Sequence, residues 1–546
     1  MEKRSGEMKA KHLCLLAAAV CLCVGCGREY DTARFREKTE LLRQEALADW
    51  VRQELGDAPA GDAGHAVFFS VSDGTKTASV YYGTGASVDE AWENSVSNAE
   101  EALKKSGTEP EWVKTDVVYI AGKISAEELK ESLLYSEVGF LSYGAAFDPE
   151  FQTALLEQEL NAAFVYDYEN GGIDLDALNT YLKKSKRESV KDLPDDYILF
   201  RCAGWICDEK DAVYRLNASG LGYGQRIMEP VDDTAAAGLV SGAAEYLMRN
   251  ISQKGEISGA NTMQQAEVLH ALLCACQLSP NVELKEKIPL VAKYLAENVS
   301  YDSDGNVFFP DEDGNTAAVY ALTAAALAEY MDVFESPEYL ELCSNIGGRL
   351  LSAQEQETDA DRSMAVYALC RLYDITGETA WLDGAVRAAE GIEVQDYLQR
   401  QDFWTSFAMN ELTKYVPDRA EYYVLALENA QKNLKTVSDM EITSPAGLGM
   451  LTAAFETYVR MTEYGGSADG FYLPVLLEGI DVRAERQLNG CFFPETAMYM
   501  ANPPDVLGAF MERENKFGVS LETICQNIES YYLYCRNYAA IGQSRE

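Results

Sequence analysis

From residue 232 onward the apolar residues recur at three- and four-residue spacing, segment after segment. That is the period of a helix with one buried face. The spacing predicts about twelve helices, over 232–251, 261–277, 283–299, 315–334, 336–353, 361–376, 379–391, 403–415, 418–436, 445–463, 468–482 and 519–538. Links after even-numbered segments are short, as at 375–378 and 416–418. Links after odd-numbered segments tend to be longer and carry glycine, acids and aromatics. Twelve antiparallel helices in six hairpins can close into a double ring, with the even segments inside. The fourth segment is rich in alanine, as a helix crowded on all sides would be. In such a ring the longer links gather at one end, over the N-termini of the inner helices, where N–H groups are free and helix dipoles are positive.

The first half reads differently. Alternating apolar stretches at 66–71 and 78–82 flank the turn at 72–75 and predict a hairpin. A helix over 88–105, a strand over 115–120 and a strand pair at 197–201 and 212–216 follow. The expected fold class is multidomain and mainly α: a C-terminal toroid after an N-terminal α/β (α+β) domain. The expected divisions are a leader over 1–25, a tether with an exposed helix over 26–60, the α/β domain over 61–220, of no legible role, and the toroid over 230–540. The first half contains no phosphate loop, dinucleotide motif or nucleophile elbow.

Residues 362–389 contain the run ALCRLYDITGETAWLDGAVRAA. Its form, ALxRLYxxTGxxxWLxxAxRAA, resembles a hairpin of the six-hairpin glycosidase superfamily, the (α/α)6 toroid. The helix count extends the likeness over 230–540. The motif marks the fold more than the chemistry, because epimerases, lyases and terpene and lanthionine cyclases share the architecture. The resemblance implies a carbohydrate partner and a site at the mouth of the ring. It leaves three activities open: a glycoside hydrolase, a non-catalytic glycan-binding or scaffold protein, and an epimerase- or lyase-like enzyme.

Glycoside hydrolysis needs two carboxyls beside aromatic platforms. The candidate catalytic acids are Asp402, Glu456, Glu495 and Glu522, with Asp402 as one member of the pair. Asp402 also stands where a helix N-cap is expected. The candidate substrate-binding residues are Trp404, Phe403, Phe309, Phe493, Glu267, His270, Gln526 and Asp311. Glu267 and His270 fall one helical turn apart, and a histidine on such a face is also a common core residue satisfied by a neighbour. The stretch 302–315, DSDGNVFFPDEDGN, repeats a Gly-x-x-Phe-Pro-acid pattern seen again at 490–495. It reads as a fold element, since Val307 stands where a calcium loop of the EF-hand type needs glycine.

The leader changes the expected location. Lys3, Arg4, Lys9 and Lys11 precede an apolar run over 13–24, too short to span a bilayer. The run ends in LCVGC, which resembles a bacterial lipobox with Cys26 as the lipidated residue. Cys23 replaces the usual leucine. The expectation is a lipid-anchored protein on the extracytoplasmic face, touching the membrane through that anchor alone. A net charge of −42 repels phosphate backbones, so nucleic acid is not expected as a partner. No cofactor is expected. Metal is not expected either, with His65 and His270 the only histidines after the leader and no CxxC. Of thirteen cysteines, four lie at or before Cys26. The rest read as buried thiols, with Cys202 and Cys207 as a pair that a tight turn would join.

Overall fold

The computed structural model describes residues 32–54, 65–125, 143–146, 174–184, 189, 191, 196–220, 223–228, 231–310, 316–353, 358–392, 402–430, 444–465, 473–512 and 518–545. The chain divides into two units. One comprises residues 1–227 with 494–504, the other residues 228–493 with 505–546.

The first unit carries α1 (Ala33–Glu54), β1 (His65–Ser72), β2 (Ser79–Gly85), α2 (Val88–Ser106), β3 (Trp112–Ser125), β4 (Tyr143–Ala146), α3 (Leu175–Lys184), β5 (Asp196–Cys207), β6 (Val213–Gly220) and β7 (Tyr223–Arg226). The strands form one antiparallel sheet in the order β2-β1-β3-β5-β6-β7, with β4 also paired to β5. Alternation decides the faces. Val67, Phe69 and Val71 of β1 join Phe35 and Leu42 of α1 and Trp92 of α2 in one core. Phe69 meets Trp92 edge to face at 5.0 Å. The helix α2 lies so close to β2 that a Cβ at Gly83 would come within 2.2 Å of the Ser95 amide nitrogen.

Two expectations need correction here. The helix over 33–54 is not an exposed tether at its start: Phe35, Lys38, Leu42 and Ala46 are buried against the sheet. Its apolar positions were too few to announce that face. Cys202 and Cys207 do not face each other across a turn. Both lie on β5, five residues and about 16 Å apart in an extended strand, beyond the reach of a disulfide. Cys207 is a free thiol.

The other face of the sheet is covered by residues 494–504 of the same unit. Tyr499 Oη donates to Ser70 Oγ at 2.7 Å, and the Lys114 ammonium, paired with Asp116 at 3.1 Å, lies 5.4 Å from the Tyr499 ring centre. Glu495 is fully buried there, and the Arg226 guanidinium grips it twice, Nε at 2.9 Å and Nη2 at 2.8 Å.

The second unit is a toroid. Its helices are α4 (Asp233–Arg249), α5 (Thr262–Leu278), α6 (Val282–Glu297), α7 (Ala317–Val333), α8 (Leu340–Ala353), α9 (Asp359–Thr376), α10 (Thr379–Glu390), α11 (Phe403–Leu412), α12 (Ala420–Ala430), α13 (Gly447–Glu463), α14 (Leu473–Gln487) and α15 (Leu521–Gln543). A two-residue hairpin of β8 (Ser300–Tyr301) and β9 (Val307–Phe308) sits in the link before α7. The odd-numbered helices from α5 to α15 pack in sequence, and α15 closes on α5. Each even-numbered helix packs outside against its hairpin partner. The inner helices are buried on nearly every side: α7 is buried without a break from Ala318 to Met331. Alanine at six of those fourteen positions lets the neighbouring backbones approach. Among the described residues no helix is long and apolar enough to cross a membrane.

Candidate active site

The site lies where the first halves of α5 and α15 lie side by side, at the closure of the ring. An Asn261–Gln264 capping box starts α5. Gln265 then ties the preceding link down, donating to the Gly255 carbonyl at 2.6 Å and accepting from the Ile257 amide at 3.1 Å. One turn on, Glu267 and His270 share a face, three residues apart. The His270 Nδ1–H donates to Glu529 of α15 at 2.5 Å, and Nε2 lies 3.1 Å from the Tyr367 hydroxyl of α9. Trp404 of α11 closes the group, its ring 6.0 Å from His270 and 5.6 Å from Tyr367 between centres.

The charges of this group are set by burial and by each other. Burial alone would lower the His270 pKa. The Glu529 carboxylate outweighs it and holds the ring above its ordinary value. Glu267 has no such counter-charge. Burial, then the nearby Glu529 and Glu522 charges, push its carboxyl up to about 8. It is 8% exposed and makes no hydrogen bond or ion pair with any described residue. Its carboxyl oxygens are nonetheless not sealed and keep contact with solvent space. Burial also drives the Tyr367 hydroxyl and the Cys274 and Cys525 thiols well above their ordinary range.

Farther down the inner helices, in their C-terminal halves, lies a second polar layer. Arg371 of α9 reaches Glu329 of α7 at 2.8 Å, Asp374 at 2.7 Å and Glu411 of α11 at 3.4 Å. Lys414 and Arg371 hold Glu411 below its usual range although burial opposes them. Glu456 of α13 accepts from Asn537 at 2.6 Å, from Arg536 at 3.0 Å and from Asn410. This layer ties one inner helix to the next through ion pairs and hydrogen bonds, although Arg371 Nε is buried without a partner.

The expected site residues therefore separate. Glu267, His270 and Trp404 stand in the buried group. Glu522 is exposed at the start of α15, where Gln526 donates to it at 3.1 Å. Asp402 caps α11, accepting from the Trp404 and Thr405 amides, each at 3.2 Å, and from the Thr405 hydroxyl. Glu456 belongs to the deeper layer, and Glu495 to the first unit, held by Arg226. Phe403 is buried against Phe407, with ring centres 4.4 Å apart. Phe309 is buried against Tyr320 at 5.2 Å. Phe493 is half-buried at the end of the segment that precedes residue 494. Asp311 and Cys26 lie outside the described residues. In the 302–315 stretch, Asp302 accepts from the Asp304 amide at 2.9 Å and from the Asn306 amide at 2.8 Å, which closes a polar turn. Among the described residues no cluster of three His, Cys, Asp or Glu side chains could hold a metal ion.

Sequence reasoning missed Glu529 and Tyr367. One signal was present: Glu529 stands seven residues after Glu522, on the same face of one helix. Capping accounts for both Asp402 oxygens, so Asp402→Ala is expected to cost about 1–2 kcal/mol of stability. Denaturant unfolding checks this; an unchanged midpoint would show that the cap contributes nothing.

No family model matches the chain, and no curated protein matches it. Among solved structures it is similar to the family 76 alpha-1,6-mannanase of Salegentibacter sp. HEL1_6, at 10% identity over 55% of this chain and 98% of that one, with a TM-score of 0.40. It is similar to an alpha-mannanase of Bacteroides thetaiotaomicron at 12% identity, over 57% and 97% of the two chains, with a TM-score of 0.39. A sugar epimerase from a ruminal bacterium aligns at 9% identity over 56% and 98%, with a TM-score of 0.42.

Proposed function

We propose that the toroid is a carbohydrate-active unit that hydrolyses glycosidic bonds at the N-terminal end of its inner helices. Glu267 is the general acid and Glu522 the second carboxylate. The observation that carries this reading is Glu267: a buried carboxyl, open to solvent space, that stays protonated at neutral pH beside other acids. A glycosidic acid needs that state, so that its proton can pass to the leaving oxygen as the C–O bond breaks. Glu522, exposed and steadied by Gln526, faces the developing positive charge or takes a proton from the attacking water. The His270 ring fixes Glu529, whose charge helps keep the Glu267 proton in place.

An epimerase- or lyase-like reaction needs a free base. Here both ring nitrogens of His270 are engaged, by Glu529 and Tyr367, and burial pushes the Tyr367 hydroxyl well above its ordinary range, which argues against it. The second reading is a toroid that binds glycan without cleaving it. It is favoured by Asp402 and Glu456, whose carboxylates are engaged in capping and in the interhelical layer. Incubation with a panel of α- and β-linked oligosaccharides, with reducing ends measured, separates the two. Turnover supports the enzyme; binding without new reducing ends supports the receptor.

We further propose that the protein is held at the extracytoplasmic face of a membrane through Cys26, a reading supported by the basic residues, the short apolar run and the LCVGC end of the leader. Labelling with a fatty-acid analogue in cells is expected to mark the chain, and Cys26→Ala is expected to abolish the mark. A labelled Cys26→Ala chain would reject the anchor.

A further inference from the structure

The charges on the inner helices are distributed unevenly along the ring. In the first half of each inner helix, α5 carries Glu267 and His270, and α15 carries Glu522 and Glu529. α9 adds Asp359, Asp361 and Arg362. The helices α7, α11 and α13 carry no charge there; their first acids are Glu329, Glu411 and Glu456. Arg371, Arg460 and Arg536 all lie in the second halves. His270 is spent on Glu529, and Arg362 donates to the Gly391 carbonyl at 2.7 Å.

Helix dipoles favour acids in a first turn, which accounts for Asp359, Asp361 and Glu522. That effect fades beyond the first turn, so it does not account for Glu267 in the second turn of α5 or Glu529 in the third of α15. Glu267 is also more than nine-tenths buried, without a partner among the described residues, and open to solvent space. The charged groups that act on it, Glu529 and Glu522, both come from α15; α4, α6 and α7 supply none.

We propose that this end of the toroid takes a cationic saccharide, with the ammonium group of an unacetylated amino-sugar unit held by Glu267 and Glu522. The inference rests on the proposed location of the site and not on hydrolysis: a Glu267 that has released its proton to hold an ammonium cannot be the acid for that unit, so a cationic saccharide bound in this way is a ligand of the site and not its substrate. An ammonium supplies the counter-charge that Glu267 lacks. A uronate or sulfated sugar would bring a further negative charge against Glu522 and Glu529, which disfavours it. Trp404 and Tyr367 give the group its apolar wall. A cation beside Glu267 favours its ionised form, so binding near neutral pH releases a proton.

Calorimetric titration of the full chain with three oligosaccharides tests this: a glucosamine tetramer, its N-acetylated counterpart and a galacturonic acid tetramer. The glucosamine tetramer is expected to bind at least about tenfold tighter than the acetylated one, and more weakly as salt rises. Its binding heat is expected to change between buffers of different ionisation enthalpy, as proton release requires. Glu522→Gln, an exposed and structurally mild change, is expected to remove most of the preference. Equal or tighter binding of the acetylated or uronate oligomer, no binding of any of the three, or a preference untouched by Glu522→Gln would each overturn the proposal. Hydrolysis of a neutral glycan together with any of those results would leave the proposed function standing and remove only the cationic preference.

Discussion

Glu267→Gln is expected to lower glycan turnover by roughly 10²- to 10⁴-fold, the loss that follows removal of a general acid. Glutamine keeps the shape of the side chain and has no proton to give. The same variant has a stability signature that needs no substrate. The Glu267 carboxyl titrates near its ordinary 4.5 in the unfolded chain and at about 8 in the folded one. Its contribution to stability is therefore complete below about pH 4.5 and is lost as pH rises through about 8. The loss is at most roughly 5 kcal/mol, since each pKa unit corresponds to about 1.4 kcal/mol. Glu267→Gln removes that slope, and the variant is expected to outlast the wild type above pH 8. His270 keeps a slope of the same sign: its raised pKa means that its stabilising charge is lost as pH climbs past its ordinary value. Denaturant unfolding from pH 5 to 9 reads both effects. Unchanged turnover would remove Glu267 as the acid. An unchanged pH slope would show that its carboxyl is ionised in the folded protein.

Arg226→Met is expected to destabilise the first unit by about 3–5 kcal/mol, because it strands the Glu495 carboxylate in a buried site. Both partners are buried, and two charge-assisted bonds join them. The loss is expected in the unfolding of residues 32–227, not of the toroid. Glu495→Gln tests the other partner, since it leaves a neutral hydrogen-bonding side chain against the guanidinium. Glycan turnover by Glu495→Gln at a temperature where it stays folded is expected to match the wild type. A specific loss of turnover would return Glu495 to the catalytic set.

The two predictions concern acids that look alike in the sequence. Glu267 lies within a helical run, and Glu495 ends a Phe-Phe-Pro loop placed as the rim loops are placed. The loop position made Glu495 the more attractive catalyst. Neither burial nor the Arg226 partner, 269 positions away, leaves a local mark.

The sequence by itself determined the twelve helices, their inner and outer order and five of the strands before them, but not β4 or β7. Those depend on spacings of two, three and four residues and on which links are short, and such signals are local. It also placed Glu267 and His270 on one helical face. Tertiary structure alone decided which acids meet. Closure of the ring brings Glu529 to His270 across 259 positions and Tyr367 to its other nitrogen across 97. That meeting sets the protonation of the group, because pKa values answer to burial and neighbouring charge, and both are properties of the assembled ring. The same holds for Lys38, an ordinary lysine in a polar helix by sequence, which is buried in the structure with its ammonium 3.0 Å from Asp211. Local periodicity fixes which face of an element is apolar, but what that face meets is decided by contacts far apart in the chain.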